Sequence, residues 1–274
     1  GAVIHNASEL PGYLSMTLSY DVNTGNAAPY SALTIVSTAA WGLGYFGMPH
    51  ILLRFMAIED EKKLKLSRRV ATIWVVISLF VAVFIGVIGY TMSKVGALEM
   101  LTGSNSETII VKISALLSQH GVIFALLAGV ILAGILASTM STSDSQLLAA
   151  SSAVSSDILG AFRKDSSNKN GSMAAARITL LVISVVAAFI ARNPDSSVFA
   201  IVSFAWAGFG AAFGPVVLFS LFWKRTNKWG ALAGMVCGGS MVFIWKYLIR
   251  PLGGIWNIYE LLPAFLIACA AIVI

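Results

Sequence analysis

Residues 70–92 read VATIWVVISLFVAVFIGVIGYTM, without one charged side chain. About 20 consecutive apolar residues suffice to cross the hydrocarbon core of a bilayer as a helix. The run is continuous, so it lacks the period-two alternation of a barrel strand. Lipid offers the backbone no hydrogen bonds, which leaves a transmembrane helix as the fitting structure. Similar apolar stretches recur at about 31–53, 121–141, 173–191, 198–223, 228–248 and 257–274, so seven spans are expected. Polar loops are expected at 58–69 and 162–172, and a short amphipathic interfacial helix at 107–118. Leu147, Leu148, Val154, Ile158 and Leu159 recur at helical spacing, so the third span should continue as a helix beyond the membrane.

Composition agrees. Hydrophobic residues make up 58% of the chain and charged residues 11%, against roughly 25% charged in soluble domains. The fold class expected is an all-α polytopic membrane protein, with the 274 residues forming a single transmembrane domain. Lys and Arg then orient it. Arg54, Lys62, Lys63, Lys65, Arg68, Arg69, Arg163, Lys164, Lys169, Arg177, Lys224, Arg225 and Lys228 fall on one side. Lys94, Lys112, Arg192, Lys246 and Arg250 fall on the other. Positive residues mark cytoplasmic loops, so the first span should run inward from outside. The net charge of +6 is thus a topology signal, and nucleic-acid binding is not implied. The chain opens on Gly1 without an initiator Met and stops at Ile274 inside an apolar run, so a fragment of a longer protein, with sequence missing at the front and the back, is expected. Cys237 and Cys269 lie inside spans, without metal or redox spacing, and read as packing residues.

Two clusters interrupt the apolar pattern. The first is WGLGYFGMPH, residues 41–50. Gly42, Gly44 and Gly47 weaken helical order and Pro49 cannot donate to the preceding turn. A helix broken at membrane depth frees backbone groups to hold ions or substrate. Trp41, Tyr45 and Pro49 are spaced by four, so they share a face if the turn stays helical. The competing reading is that Gly and Pro are common in membrane helices and that Trp and Tyr mark the interface.

The second cluster is LASTMSTSDSQLL at 136–148, with hydroxyls at Ser138, Thr139, Ser141, Thr142, Ser143 and Ser145. Hard cations take oxygen ligands, and hydroxyls with carbonyls can replace a hydration shell. Against this, a Ser or Thr in a membrane helix usually bonds its own i−4 carbonyl. Asp144 is a secondary candidate beside them, and Arg54 reads as a snorkelling anchor. The small residues Gly208, Gly210, Ala211, Ala212 and Gly214 of the fifth span, and Gly230, Gly234 and Gly238 of the sixth, are packing signals. Trp206 and Pro215 hint at a bending gate in the fifth. No phosphate loop, metal-ligand cluster or nucleophile–base pair is found, so an enzyme is not indicated.

WGLGYFGMPHILLRFMA at 41–57, ASTMSTSDSQLLAASSAVSSDI at 137–158 and FAWAGFGAAFGPVVLFSLFW at 204–223 together resemble the sodium/solute symporter family, nearest its sodium/proline branch. The resemblance runs from about residue 31 onward. It implies a LeuT-type inverted-repeat fold, with the second repeat in the first five spans and two peripheral helices after it. It places substrate contacts on Trp41 and Tyr45 with Pro49 beside them. It places sodium ligands on the Ser141 and Thr142 hydroxyls and the Ser138 carbonyl. Met48 departs from the family, which carries a polar Gln there.

The expected function is import of proline, or a similar small solute, coupled to sodium by alternating access at the cell membrane. Another solute of the same family, such as pantothenate or a different amino acid, is the nearest alternative. A symporter-like membrane domain joined to a sensor kinase is the alternative from another class. A channel is disfavoured, because the polar groups sit in two compact clusters.

Overall fold

The computed structural model describes residues 3, 5, 9–13, 15–20, 24–158, 169–192 and 197–274, and helices dominate them. They divide into two units, 1–102 with 197–274, and 103–196.

The first unit opens on a small antiparallel hairpin, β1 (Leu18–Tyr20) and β2 (Ala27–Pro29), in which Leu18 pairs with Pro29 and Tyr20 with Ala27. This hairpin is an exception to an all-helical chain. Helix α1 (Ala32–Ala39) follows, capped by the Ser31 side chain, which accepts from the Thr34 N–H. The first expected span then departs from a single helix. Residues Ala40–Gly47 wind as a 3₁₀ helix, Met48 is extended (φ −82°, ψ 112°), and α2 (Pro49–Met56) starts afresh. Pro49 occupies the first turn of α2, where its missing N–H costs nothing and its fixed φ suits a helix start.

Helix α3 (Lys63–Lys94) is 32 residues long, about 48 Å at 1.5 Å per residue. It therefore begins inside the expected 58–69 loop. Lys, Leu and Arg are good helix formers, and the Asp60 carboxylate accepts from the Lys62 N–H just before the first turn. At its far end Tyr90 packs on Tyr13, and Lys94 is ion-paired with Glu9.

Three more helices complete the unit: α7 (Val198–Phe222), α8 (Lys228–Ile244) and α9 (Leu261–Val273). Here α4 to α6 denote the helices of the second unit, given below. Asn227 caps α8 by accepting from the N–H groups of Trp229 and Gly230. Helix α7 packs against the 3₁₀ segment, α8 and α9. Its core is Ala207, Ala211, Val242, Leu261, Ala264 and Phe265, with Leu43, Trp206 and Tyr259 against them. Pro215 lies buried within a continuous α7. Having no N–H, it leaves the Ala211 carbonyl without its helical donor. That carbonyl faces Gly238 of α8, where any Cβ would overlap it. Gly210 and Gly230 likewise admit the backbone of another segment, Gly214 and Gly234 admit side chains, and Gly208 faces no atom within 4 Å. Cys269 also lies against the core, and both cysteines are free thiols.

The second unit holds α4 (Ile109–Leu117), α5 (Val122–Ser152) and α6 (Lys169–Ile190). Helix α4 lies within the expected interfacial segment. Helix α5 continues into a π-helical turn at Ala153–Ile158, as the spacing of its apolar residues predicts. The Ser151 hydroxyl donates to the Ala176 carbonyl of α6 at 2.8 Å. Of the expected 162–172 loop, 162–168 lies outside the described residues, and 169–172 is already helical backbone.

Among the described residues, five helices are long and apolar enough to cross a membrane: Lys63–Lys94, Val122–Ser155, Met173–Ile190, Val198–Phe222 and Lys228–Leu252. Large apolar side chains such as Trp74, Phe80 and Leu126 point outward from them, as lipid-facing residues do. The two other expected spans differ. The first is broken as described, and the last is represented by the 13 residues of α9.

Candidate functional site

The 3₁₀ segment explains where Trp41 and Tyr45 point. A 3₁₀ helix has three residues per turn, so side chains four apart diverge by about 120° and do not share a face. The two rings are instead brought together through a third. Trp206 of α7 stacks on Trp41, with centroids 5.5 Å apart and planes 15° apart. The same indole meets Tyr45 edge-on, at 4.8 Å and 85°. Its Nε1–H donates to the Trp41 carbonyl at 3.0 Å. Pro49 stands apart from this group, beyond the extended Met48.

Two glycines make the approach feasible. A Cβ on Gly44 would overlap the Trp206 indole, and one on Gly47 would overlap the Phe209 carbonyl. Trp41 also stacks on Phe199 and on Tyr259, with centroids 5.6 Å and 5.7 Å away. Tyr259 is anchored in turn. Its backbone N–H donates to the Ser37 hydroxyl at 2.7 Å and its phenol O–H to the Ser203 carbonyl at 2.6 Å. Trp41 is therefore half-buried and held, whereas Tyr45 is 51% exposed. An aromatic surface beside an opened backbone can pack a small apolar ring while peptide groups meet its charged ends.

Next to Tyr259, the Glu260 carboxylate is 2% exposed and accepts from Arg250 Nη1 at 2.9 Å. The Arg250 Nε–H donates to Asn257 Oδ1 at 3.1 Å. In the sequence Trp206 reads only as a hint of a gate and Arg250 only as a topology charge, and Tyr259 and Glu260 carry no reading. The signal available for the last was an acid at the start of an apolar run, which a membrane protein retains only with a partner.

The hydroxyl cluster lies in the second unit. Helix α5 is regular throughout 136–148. The Thr142 hydroxyl donates to the Ser138 carbonyl at 3.2 Å, linking two of the expected sodium ligands. Thr139 and Ser145 donate likewise to Ile135 and Ser141. Such i−4 bonds use the hydroxyl proton and leave the oxygen lone pairs directed away from the helix. Ser138, Ser141 and Thr142 are all exposed. The donor set is thus neutral oxygen, which suits a hard monovalent cation that must bind and leave again. Asp144, two positions beyond Thr142, is also exposed.

Comparisons with known proteins follow the same lines. A family model described as the sodium:solute symporter family matches residues 12–238. The sodium/proline symporter of Salmonella typhimurium is 40% identical over 243 residues, covering 88% of this chain and 46% of the relative. The osmoregulated proline transporter OpuE of Bacillus subtilis is 39% identical over 241 residues, covering 88% and 47%. The sodium/proline symporter of Escherichia coli is 39% identical over 243 residues, covering 88% and 46%. The chain spans about half the length of these curated relatives. No solved structure matches it.

Proposed function

The chain belongs to the sodium:solute symporter family, a family of membrane transporters and not of enzymes, and from that premise we propose that it forms part of a symporter importing proline with sodium by alternating access. It would supply the second inverted repeat of a LeuT-type fold and two peripheral helices. Trp41 and Tyr45 receive the solute, with Pro49 contributing from the start of the next helix. The Ser141 and Thr142 hydroxyls and the Ser138 carbonyl hold the coupling sodium ion. The observation that carries the reading is the broken segment 40–48, whose Trp41 and Tyr45 rings meet on Trp206.

Proline suits such a wall. Its pyrrolidine ring offers a compact apolar face, and its zwitterionic ends suit peptide dipoles exposed where a helix breaks. Sodium and solute would each favour one conformation, and the coupling between them must be reciprocal. The test is uptake by the full-length transporter in proteoliposomes, with an inward sodium gradient or an equal potassium gradient. Proline, pantothenate and a panel of amino acids are compared. Sodium-dependent uptake of proline, outcompeting the panel, is expected. Sodium-driven uptake of another solute would reassign the substrate, and uptake indifferent to sodium would remove the coupling.

A further inference from the structure

One side chain touches the broken segment at Trp41, Gly44 and Tyr45. Trp206 lays its ring against Trp41, takes the edge of Tyr45, donates to the Trp41 carbonyl and fills the space left by Gly44. A 3₁₀ turn has poorer hydrogen-bond geometry than an α-turn, so an outside donor on its first carbonyls decides which winding persists. The same indole sets the angle and separation of the two rings. Trp41 is additionally covered by Phe199 and Tyr259, which leaves Tyr45 as the more exposed ring.

We propose that Trp206 is a positioning residue for solute selection: it does not touch the solute, but fixes the Trp41 carbonyl and the Tyr45 ring in the arrangement that does. The inference rests on the reading of Trp41 and Tyr45 as the solute wall. Small misplacements of a binding group cost affinity out of proportion to their size, so the effect belongs in solute recognition more than in turnover.

The test uses the full-length transporter in membranes, with uptake expressed per copy. Trp206→Phe keeps a ring and deletes the donor, and Gly44→Ala obstructs the seat from the opposite side. Each should raise the half-saturating proline concentration by about fivefold, the worth of one net hydrogen bond. That rise should exceed any fall in maximal rate. In a Tyr45→Ala background the added effect of Trp206→Phe should shrink, because residues acting through one contact are non-additive. A packing residue alone would lower the amount of transporter and leave half-saturation unchanged. An unshifted half-saturation in Trp206→Phe, or full additivity with Tyr45→Ala, overturns the proposal while the wall stands. If Trp41→Ala and Tyr45→Ala are themselves silent, the wall falls and the proposal with it.

Discussion

The indole N–H of Trp206 donates to the Trp41 carbonyl at 3.0 Å across 165 residues of sequence. This bond ties α7 to the 3₁₀ segment Ala40–Gly47, between α1 and α2. Several consequences of that arrangement can be measured.

The interface should tolerate no side chain at Gly47, where an added Cβ meets the Phe209 backbone carbonyl. Backbone cannot yield as a flexible side chain can, so Gly47→Ala should destabilise by about 1–3 kcal/mol. Gly208 on the same helix as Phe209 has no atom within 4 Å of such a Cβ. Gly208→Ala should be neutral or stabilising by up to about 1 kcal/mol, from helix propensity. Unfolding in mixed micelles compares the two. Equal behaviour would contradict the packing described.

The Arg250–Glu260 pair should matter through its buried member. Glu260 is 2% exposed, while the Arg250 side chain is 43% exposed. Arg250→Met strands a buried carboxylate, at a cost of about 2 kcal/mol after allowance for the exposed arginine. Adding Glu260→Gln removes the charge and should restore part of the loss. A double variant less stable than the single one would show that the pair is not what holds this corner, and with it Tyr259, against Trp41.

Side-specific labelling checks the orientation. Leu66→Cys, among the basic residues at the start of α3, should be protected from an impermeant reagent in intact cells. Thr24→Cys and Ser104→Cys should react. Labelling of residue 66 from outside would invert the topology.

Trp41→Ala and Tyr45→Ala should each weaken proline uptake, mainly by raising the half-saturating concentration. Aromatic contacts contribute about 0.5–1.5 kcal/mol beyond area burial, a factor of roughly two to twelve. Unchanged concentration dependence in both would dissolve the wall.

Five of the seven expected spans, the continuation of α5 and the interruption at 41–50 were legible, because each depends on residues adjacent in sequence: apolar runs, helical spacing, and Gly with Pro. The form of the interruption was not. Whether glycines yield a 3₁₀ turn or a kink depends on what packs against them, and here that is α7. Ser37 reaches Tyr259 across 222 residues, and Glu260 finds Arg250 only once the chain turns between α8 and α9. Periodicity carries no such information. The start of α3 was misplaced for a different reason. Basic residues between apolar runs read as loop, although Lys and Arg extend a helix into water readily.

Sodium dependence is the most direct test. Thr142 already donates to the Ser138 carbonyl, so a purely structural hydroxyl could be lost without changing the response to sodium. A ligand could not. Thr142→Val keeps the shape and deletes the oxygen, and Ser141→Ala does the same one position earlier. Proline uptake at a fixed proline concentration is measured while sodium is varied, in the full-length transporter. Both variants are predicted to need more sodium for half-maximal uptake, with a smaller loss at saturating sodium. Sodium curves in both that overlay the unmodified protein's would contradict the assignment of the coupling ion to these oxygens.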